Sequence, residues 1–182
     1  MSDSPWKTVL STIVYESPWM KLRHDQVVLP DGSLGEFDVL ERKDFVVVIA
    51  FKDQQLYLVD QYRYPINRRS LEFIEGSMEA KEEPLEAAKR ELVEEAGLVS
   101  DSWNYLDFLY LANGNQTQKF HIFVARDCTQ QDHSRDPGEK DMVVKITTTE
   151  EFTQLIIDGK VKDSPTVAAW NIYLLKKEDH GH

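Results

Sequence analysis

The spacing of apolar residues changes character twice along the chain, and each change marks a different kind of element. From Thr8 to Tyr15 the chain is rich in Val, Ile and Thr. From Trp19 to Leu29 it alternates, with Trp19, Lys21 and Arg23 set against Met20 and Leu22. Both stretches predict β-strands. Pro30-Asp31-Gly32 supplies a turn, and Glu36 to Arg42 alternates again, so the first third reads as a small antiparallel sheet. Phe45 to Phe51 is a near-continuous apolar run, the pattern of a strand covered on both faces, and Lys52-Asp53-Gln54 turns it into Gln55 to Tyr62. The period then lengthens. Leu85, Ala88, Leu92 and Ala96 recur at helical spacing, with Pro84 suited to the first turn and Gly97 to a left-handed stop. Strands are predicted again at Tyr105 to Leu111 and Phe120 to Arg126, followed by a polar loop from Thr129 to Asp141. Thr148 and Glu151 form a capping box that opens a helix to Asp158, ended by Gly159, and Ser164-Pro165 opens a last helix to about Leu175. Strands, helix, strands, helices in that order predict an α+β fold or a layered α/β/α domain.

Composition narrows what such a fold is for. With 182 residues the chain makes one ordinary domain and a small appended piece. Lys plus Arg number 21 against 32 Asp plus Glu, a net charge of −11, which is the wrong sign for gripping a phosphate backbone, so no nucleic-acid partner is expected. The longest apolar run is too short to span a bilayer and the N-terminus lacks a signal pattern. The expected address is the cytoplasm, without a membrane partner. Cys128 is the only cysteine, which forbids an intramolecular disulfide and reads as a small buried hydrophobe.

The acidic residues of the first helix carry the chemistry. Glu91, Glu94 and Glu95 stand at i, i+3 and i+4, so their carboxylates share a face. Such a face is either merely solvated or a site for hard divalent cations, which prefer carboxylate oxygen. The wider spacing decides. Gly76 is followed by Glu82, then Arg90-Glu91-Leu92, Glu94-Glu95 and Gly97-Leu98, giving G-x5-E-x7-R-E-U-x-E-E-x-G-U with U aliphatic. A chance match has a probability on the order of one in 10⁸ per window. The pattern resembles the Nudix hydrolase family, with every position filled.

That resemblance implies a Nudix α/β/α sandwich with a central mixed sheet. It makes Glu91 and Glu95 the main metal ligands, with Glu94 helping to bind a further ion and the backbone carbonyl of Glu75 completing the set. Gly76, Glu82, Arg90 and Gly97 become structural parts of the box, Glu82 and Arg90 pairing to hold loop to helix. The implied cofactor is Mg²⁺, with Mn²⁺ as a substitute. Gln61-Tyr62-Arg63-Tyr64-Pro65 and Leu71-Glu72-Phe73-Ile74 are similar to the ADP-ribose and nucleoside diphosphate sugar hydrolases of the family. In that branch residues 1–43 would be an N-terminal sheet exchanged across a homodimer and 44–182 the catalytic domain. Trp19 and Phe37 fall where relatives carry aromatics that sandwich the base, although sheet packing explains them equally. Arg42 and Arg63 match contacts to base, ribose or phosphate, with surface salt bridges the alternative. The branch places a general base in the loop that here offers Asp136, Glu139 and Asp141; Glu139 falls closest and Asp141 second, while His133 reads as solvated.

Two positions depart from the branch. Glu75 stands where relatives usually have alanine. Asn113 stands where ADP-ribose-specific relatives have proline, which leaves other nucleotide sugars such as GDP-mannose open as substrates. The expected activity is hydrolysis of the diphosphate linkage of nucleoside diphosphate sugars to nucleoside monophosphate and sugar phosphate. Dinucleotide cleavage and removal of RNA 5′-pyrophosphate are the rivals within the family, and a non-catalytic ligand sensor is the rival outside catalysis.

Overall fold

A computed structural model describes residues 4–132 and 140–179. Among the described residues the chain forms twelve strands, three α-helices and one short 3-10 helix (Tyr64–Ile66), divided into two units.

The first unit takes the chain up to Asp44 together with Tyr110–Lys119. Strands β1 (Lys7–Glu16), β2 (Lys21–Val28) and β3 (Leu34–Glu41) make an antiparallel sheet in sequence order. Polar cross-strand pairs stitch it. The His24 Nδ1 lies 2.8 Å from Asp38 Oδ1, and Arg23 on β2 pairs with Asp25 on the same strand and with Glu41 on β3. The hydrogen bond that the Asp38 carboxylate accepts from the ring raises the imidazole pKa above its ordinary value, although partial desolvation opposes it. The returning segment Ala112–Gln116 is a turn, in which the Asn115 and Gln116 N–H groups donate to the Ala112 carbonyl. It is tied to β3 by the Leu40 N–H donating to Asn115 O at 2.8 Å. Along β1, Val9, Leu10, Ile13, Val14 and Tyr15 are each more than half exposed.

The second unit holds Phe45–Leu109 and the chain from Phe120 onward. Its sheet runs β12 (Val143–Thr147), β5 (Gln55–Arg63), β4 (Phe45–Lys52), β10 (Lys119–Arg126), β9 (Ser102–Tyr110), with β6 (Arg68–Glu72) paired to β5 and β7 (Ile74–Ser77) paired to β4. β4 and β10 are parallel, from Phe45↔Phe120 to Ala50↔Ala125, whereas β4 pairs antiparallel with β5 and β7, so the sheet is mixed. Alternation along β4 builds two layers. Val46, Val48 and Ala50 join Ile74, Tyr57 and Val59 under Ala87, Ala88, Leu92 and Ala96 of helix α1 (Pro84–Ala96). Each fully buried aliphatic side chain of this kind contributes about 1.5–3 kcal/mol. On the opposite face Phe51 meets Tyr173 of helix α3 (Ser164–Asp179). Phe73 packs there on Trp170 of α3 and on Phe152 of helix α2 (Thr149–Ile157).

The helix boundaries follow the local signals. Pro84 sits in the first turn of α1 and Gly97 ends it at φ +64°. The Thr148–Glu151 capping box is formed at α2. α3 runs past Leu175 to Asp179. The polar stretch after β10 begins with a short strand, β11 (Thr129–Gln130), paired to β8 (Leu98–Val99). Two-residue strands carry no periodicity and escape sequence reading. Cys128 is buried, and burial pushes its thiol up to about 11, which keeps it protonated and inert. Among the described residues no helix is long and apolar enough to cross a membrane.

Candidate active site

β7 and α1 meet at one point, and the charged residues concentrate there. Ile74 and Gly76 of β7 face α1, while Glu75 between them faces α3, as strand alternation requires. Helical spacing brings Glu91 and Glu95, one turn apart, against this strand. Both carboxylates are largely buried, at 6% and 2% exposure. A Cβ on Gly76 would lie 1.8 Å from Glu91 Cδ and 1.9 Å from its Oε1, so only glycine admits the Glu91 carboxylate. The Glu95 Oε2 accepts the backbone N–H of Glu75 at 3.1 Å. The two ligand candidates from α1 therefore converge on the backbone of Glu75 and Gly76, and the Glu75 carbonyl is the expected third donor.

Arg90 organises the rest of the box. Its Nε and Nη2 donate to the two carboxylate oxygens of Glu82, both at 3.0 Å. Its Nη2 also reaches Ser77 O at 3.0 Å, and its Nη1 reaches Glu91 Oε1 at 2.6 Å and Glu94 Oε2 at 2.9 Å. One guanidinium thus joins loop, strand and helix. The hydrogen bonds it donates to Glu82 hold it firmly charged, and they hold the Glu82 carboxyl below the usual range. Of the three box carboxylates on α1, Glu94 is the most open. Oxygen donors packed at this density suit a hard divalent cation, because an unneutralised cluster of carboxylates repels itself.

Beside the box lies a second group of acids that the motif did not announce. Glu72, Glu75 and Asp163 place carboxylate oxygens within 4.8 Å of one another. Glu72 is 1% exposed and is held by Arg63, whose Nε donates to both of its oxygens at 3.0 and 3.2 Å, and by Gln61 Nε2 at 3.2 Å. Burial opposes the charge on Arg63, but Glu72 outweighs it and raises that pKa. Burial also pushes the Glu75 carboxyl well above its ordinary range, with the charges of Asp163 and Glu72 adding to the effect. Thr166 of α3 donates its hydroxyl to Glu75 Oε1 at 3.0 Å. The extra carboxylate of Glu75 is thereby turned toward α3, on the other side of β7 from Glu91. An acid inside the apolar run Leu71-Glu72-Phe73-Ile74 was a legible signal for Glu72; nothing in the sequence tied Asp163 or Thr166 to it.

The remaining candidates fall in two places. Arg63 is in the second unit with the box. Trp19, Phe37, Arg42 and Asn113 are all in the first unit. Trp19 is 75% exposed in the bend before β2, and Phe37 on β3 meets the Trp6 ring edge-on at 6.0 Å. Arg42 is exposed just past β3. Asn113 is exposed in the turn tied to Leu40, which explains how a position 73 residues beyond Leu40 joins the N-terminal sheet. Glu139, Asp136 and His133 lie outside the described residues. Asp141 pairs with Arg69 at 3.0 Å, and Arg69 also binds Asp60 at 2.7 Å.

Comparison with known proteins gives a consistent picture. The family description "NUDIX domain" matches residues 41–170, and "Nucleoside diphosphate sugar hydrolase N-terminal domain" matches residues 6–40. A methanol dehydrogenase activator of Bacillus methanolicus is 28% identical over 165 residues, covering 90% of this chain and 89% of the relative. An ADP-ribose pyrophosphatase of Bacillus subtilis (strain 168) is 27% identical over 173 residues, covering 94% of each. A crystal structure of an ADP compounds hydrolase superposes with a TM-score of 0.88 at 20% identity, covering 100% of this chain and 98% of that one, and so shares the fold.

Proposed function

Since the chain belongs to the Nudix hydrolase family, we propose that it hydrolyses the diphosphate linkage of nucleoside diphosphate sugars, ADP-ribose among them, to a nucleoside monophosphate and a sugar phosphate. The observation that carries this reading is the convergence of Glu91 and Glu95 on the backbone of Glu75 and Gly76. The match of residues 6–40 to the N-terminal domain of nucleoside diphosphate sugar hydrolases supports the substrate class.

The donor set is oxygen throughout, which fits Mg²⁺, with Mn²⁺ able to replace it. Glu91, Glu95, Glu94 and the Glu75 carbonyl would hold it. Such an ion, when bound, neutralises the diphosphate and lowers the pKa of an attacking water. Arg90 keeps Glu82, Glu91 and Glu94 from repelling one another while leaving Glu95 to the strand. In the reaction one water adds to phosphorus, the bridging P–O bond breaks, and the water's proton passes to a carboxylate base, assigned to Glu139 with Asp141 as the alternative. Trp19, Phe37 and Arg42 would take the nucleoside across a homodimer, Arg63 a phosphate, and Asn113 the terminal sugar. The compartment assigned is the cytoplasm.

The test is a panel of ADP-ribose, GDP-mannose, a dinucleoside diphosphate and 5′-pyrophosphate RNA with Mg²⁺, resolving products by chromatography. Nucleoside monophosphate and sugar phosphate should appear from the nucleotide sugars. Glu91→Gln and Glu95→Gln should each lower turnover by roughly 10²-fold or more with the fold retained. Near-wild-type rates in both variants, or hydrolysis of the RNA alone, would overturn the reading.

A further inference from the structure

Thr166 is fully buried in the first turn of α3, at 0% exposure, and its hydroxyl both accepts and donates a hydrogen bond. It accepts the backbone N–H of Phe73 at 3.0 Å and donates to the Glu75 side chain at 3.0 Å. Its own N–H donates to Asp163 Oδ2 at 2.8 Å, which fixes Thr166 at the helix start. Packing reinforces the contact, because Trp170, one turn further along α3, lies against the Phe73 ring with 6.2 Å between centroids.

The stretch Phe73–Gly76 is therefore gripped from both faces of the sheet. From α1, Glu95 takes the Glu75 N–H and Glu91 fills the space over Gly76. From α3, Thr166 takes the Phe73 N–H and the Glu75 carboxyl. A hydroxyl offers one donor and two acceptor positions, so a single Thr can join a backbone group to a side chain two residues on. We propose that Thr166 is a positioning residue that fixes the Glu75 backbone from the far side of the sheet, so that its carbonyl meets the Glu91 and Glu95 carboxylates as a preformed cation site. This rests on the reading of that convergence as a divalent-cation centre. Without the hydroxyl, the buried Phe73 N–H loses its partner. The Glu75 carboxyl, beside Glu72 and Asp163, loses the hydroxyl that donates to it from α3.

The experiment compares Thr166→Val, which keeps the shape without the hydroxyl, with Thr166→Ser, which restores it. Calorimetric titration of the metal-free protein with Mn²⁺ alone should show binding weakened by about 10- to 100-fold in Thr166→Val. Thr166→Ser should stay within about threefold of wild type, since it keeps the same donor and acceptor. The Mg²⁺ needed for half-maximal ADP-ribose hydrolysis should rise in parallel in Thr166→Val, with kcat largely recovered at saturating Mg²⁺. A lowered melting temperature with unchanged Mn²⁺ affinity would overturn the proposal. Glu91→Gln and Glu95→Gln separate the two failures. If they lose Mn²⁺ binding while Thr166→Val keeps it, the Thr166 assignment alone falls; if they keep it, the cation-centre reading falls first. If Thr166→Val does not fold, hydrogen exchange of the wild-type metal-free protein decides. Protection of the Phe73 amide at the level of the β4 amides supports the clamp, and fast exchange overturns it.

Discussion

The carboxylate of Glu91 occupies the space where a side chain on Gly76 would begin, 1.8 Å from Cδ to the position of an added Cβ. Strand β7 and helix α1 can approach so closely because position 76 carries no Cβ. Gly76→Ala should therefore displace Glu91 and abolish most activity as well as lower stability. In a Glu91→Ala background the same change should cost much less, because the obstructing atoms are gone. Denaturant unfolding of the four proteins in this cycle should give a coupling in the range of about 0.5–3 kcal/mol; additive effects would mean that the contact does not constrain the fold.

The Glu82–Arg90 pair sets a pH dependence. Arg90 hydrogen bonds hold the folded pKa of Glu82 below its ordinary 4.5. Protonation therefore favours the unfolded chain. The stabilisation is fully present above about pH 4.5 and is lost as pH falls through the lower, folded value. Glu82→Gln should melt below wild type at about pH 7, and the gap should close in acid below the ordinary carboxylate pKa. A gap that is constant across this range would remove the charge on Glu82 from the account.

The two candidate bases should separate cleanly. Asp141 is engaged by Arg69 in a half-exposed ion pair, a kind worth about 0–1 kcal/mol. Asp141→Asn should accordingly leave both turnover and melting temperature nearly unchanged. Glu139→Gln should cut kcat by about 10²–10⁴-fold with little effect on melting. The reverse result in steady-state kinetics would move the base by two residues.

The N-terminal sheet should be a homodimer surface. Val9, Leu10, Ile13, Val14 and Tyr15 on β1 leave too much apolar area open for a three-stranded sheet to stand in water alone. Sedimentation at about micromolar concentration should show a dimer. Ile13→Asp and Val9→Asp together should give monomers with impaired hydrolysis. A fully active wild-type monomer would refute the assignment.

Much of this was legible in the chain itself. Pro84, the Leu85–Ala96 stripe and Gly97 specify α1 locally, since each acts within a turn of its neighbours. Glu91 and Glu95 lie on one face because helical geometry puts them there, and the box spacing singles them out as ligand candidates without any knowledge of what they face. The apolar run Phe45–Phe51 announced a strand covered on both sides, and β4 is that strand. What the tertiary structure decided is everything that depends on residues far apart in sequence coming together. That Gly76 is glycine because of Glu91 follows from the packing of β7 on α1, not from any local turn. The short strands β8 and β11 exist only as partners, being too brief to show a period. The turn that carries Asn113 joins the N-terminal sheet through the Leu40 N–H donated to Asn115 O, which side-chain pattern does not encode. The direction taken by Glu75 is of the same kind. Strand alternation sends its side chain away from Glu91, and only the docking of α3 supplies the Thr166 hydroxyl that receives it.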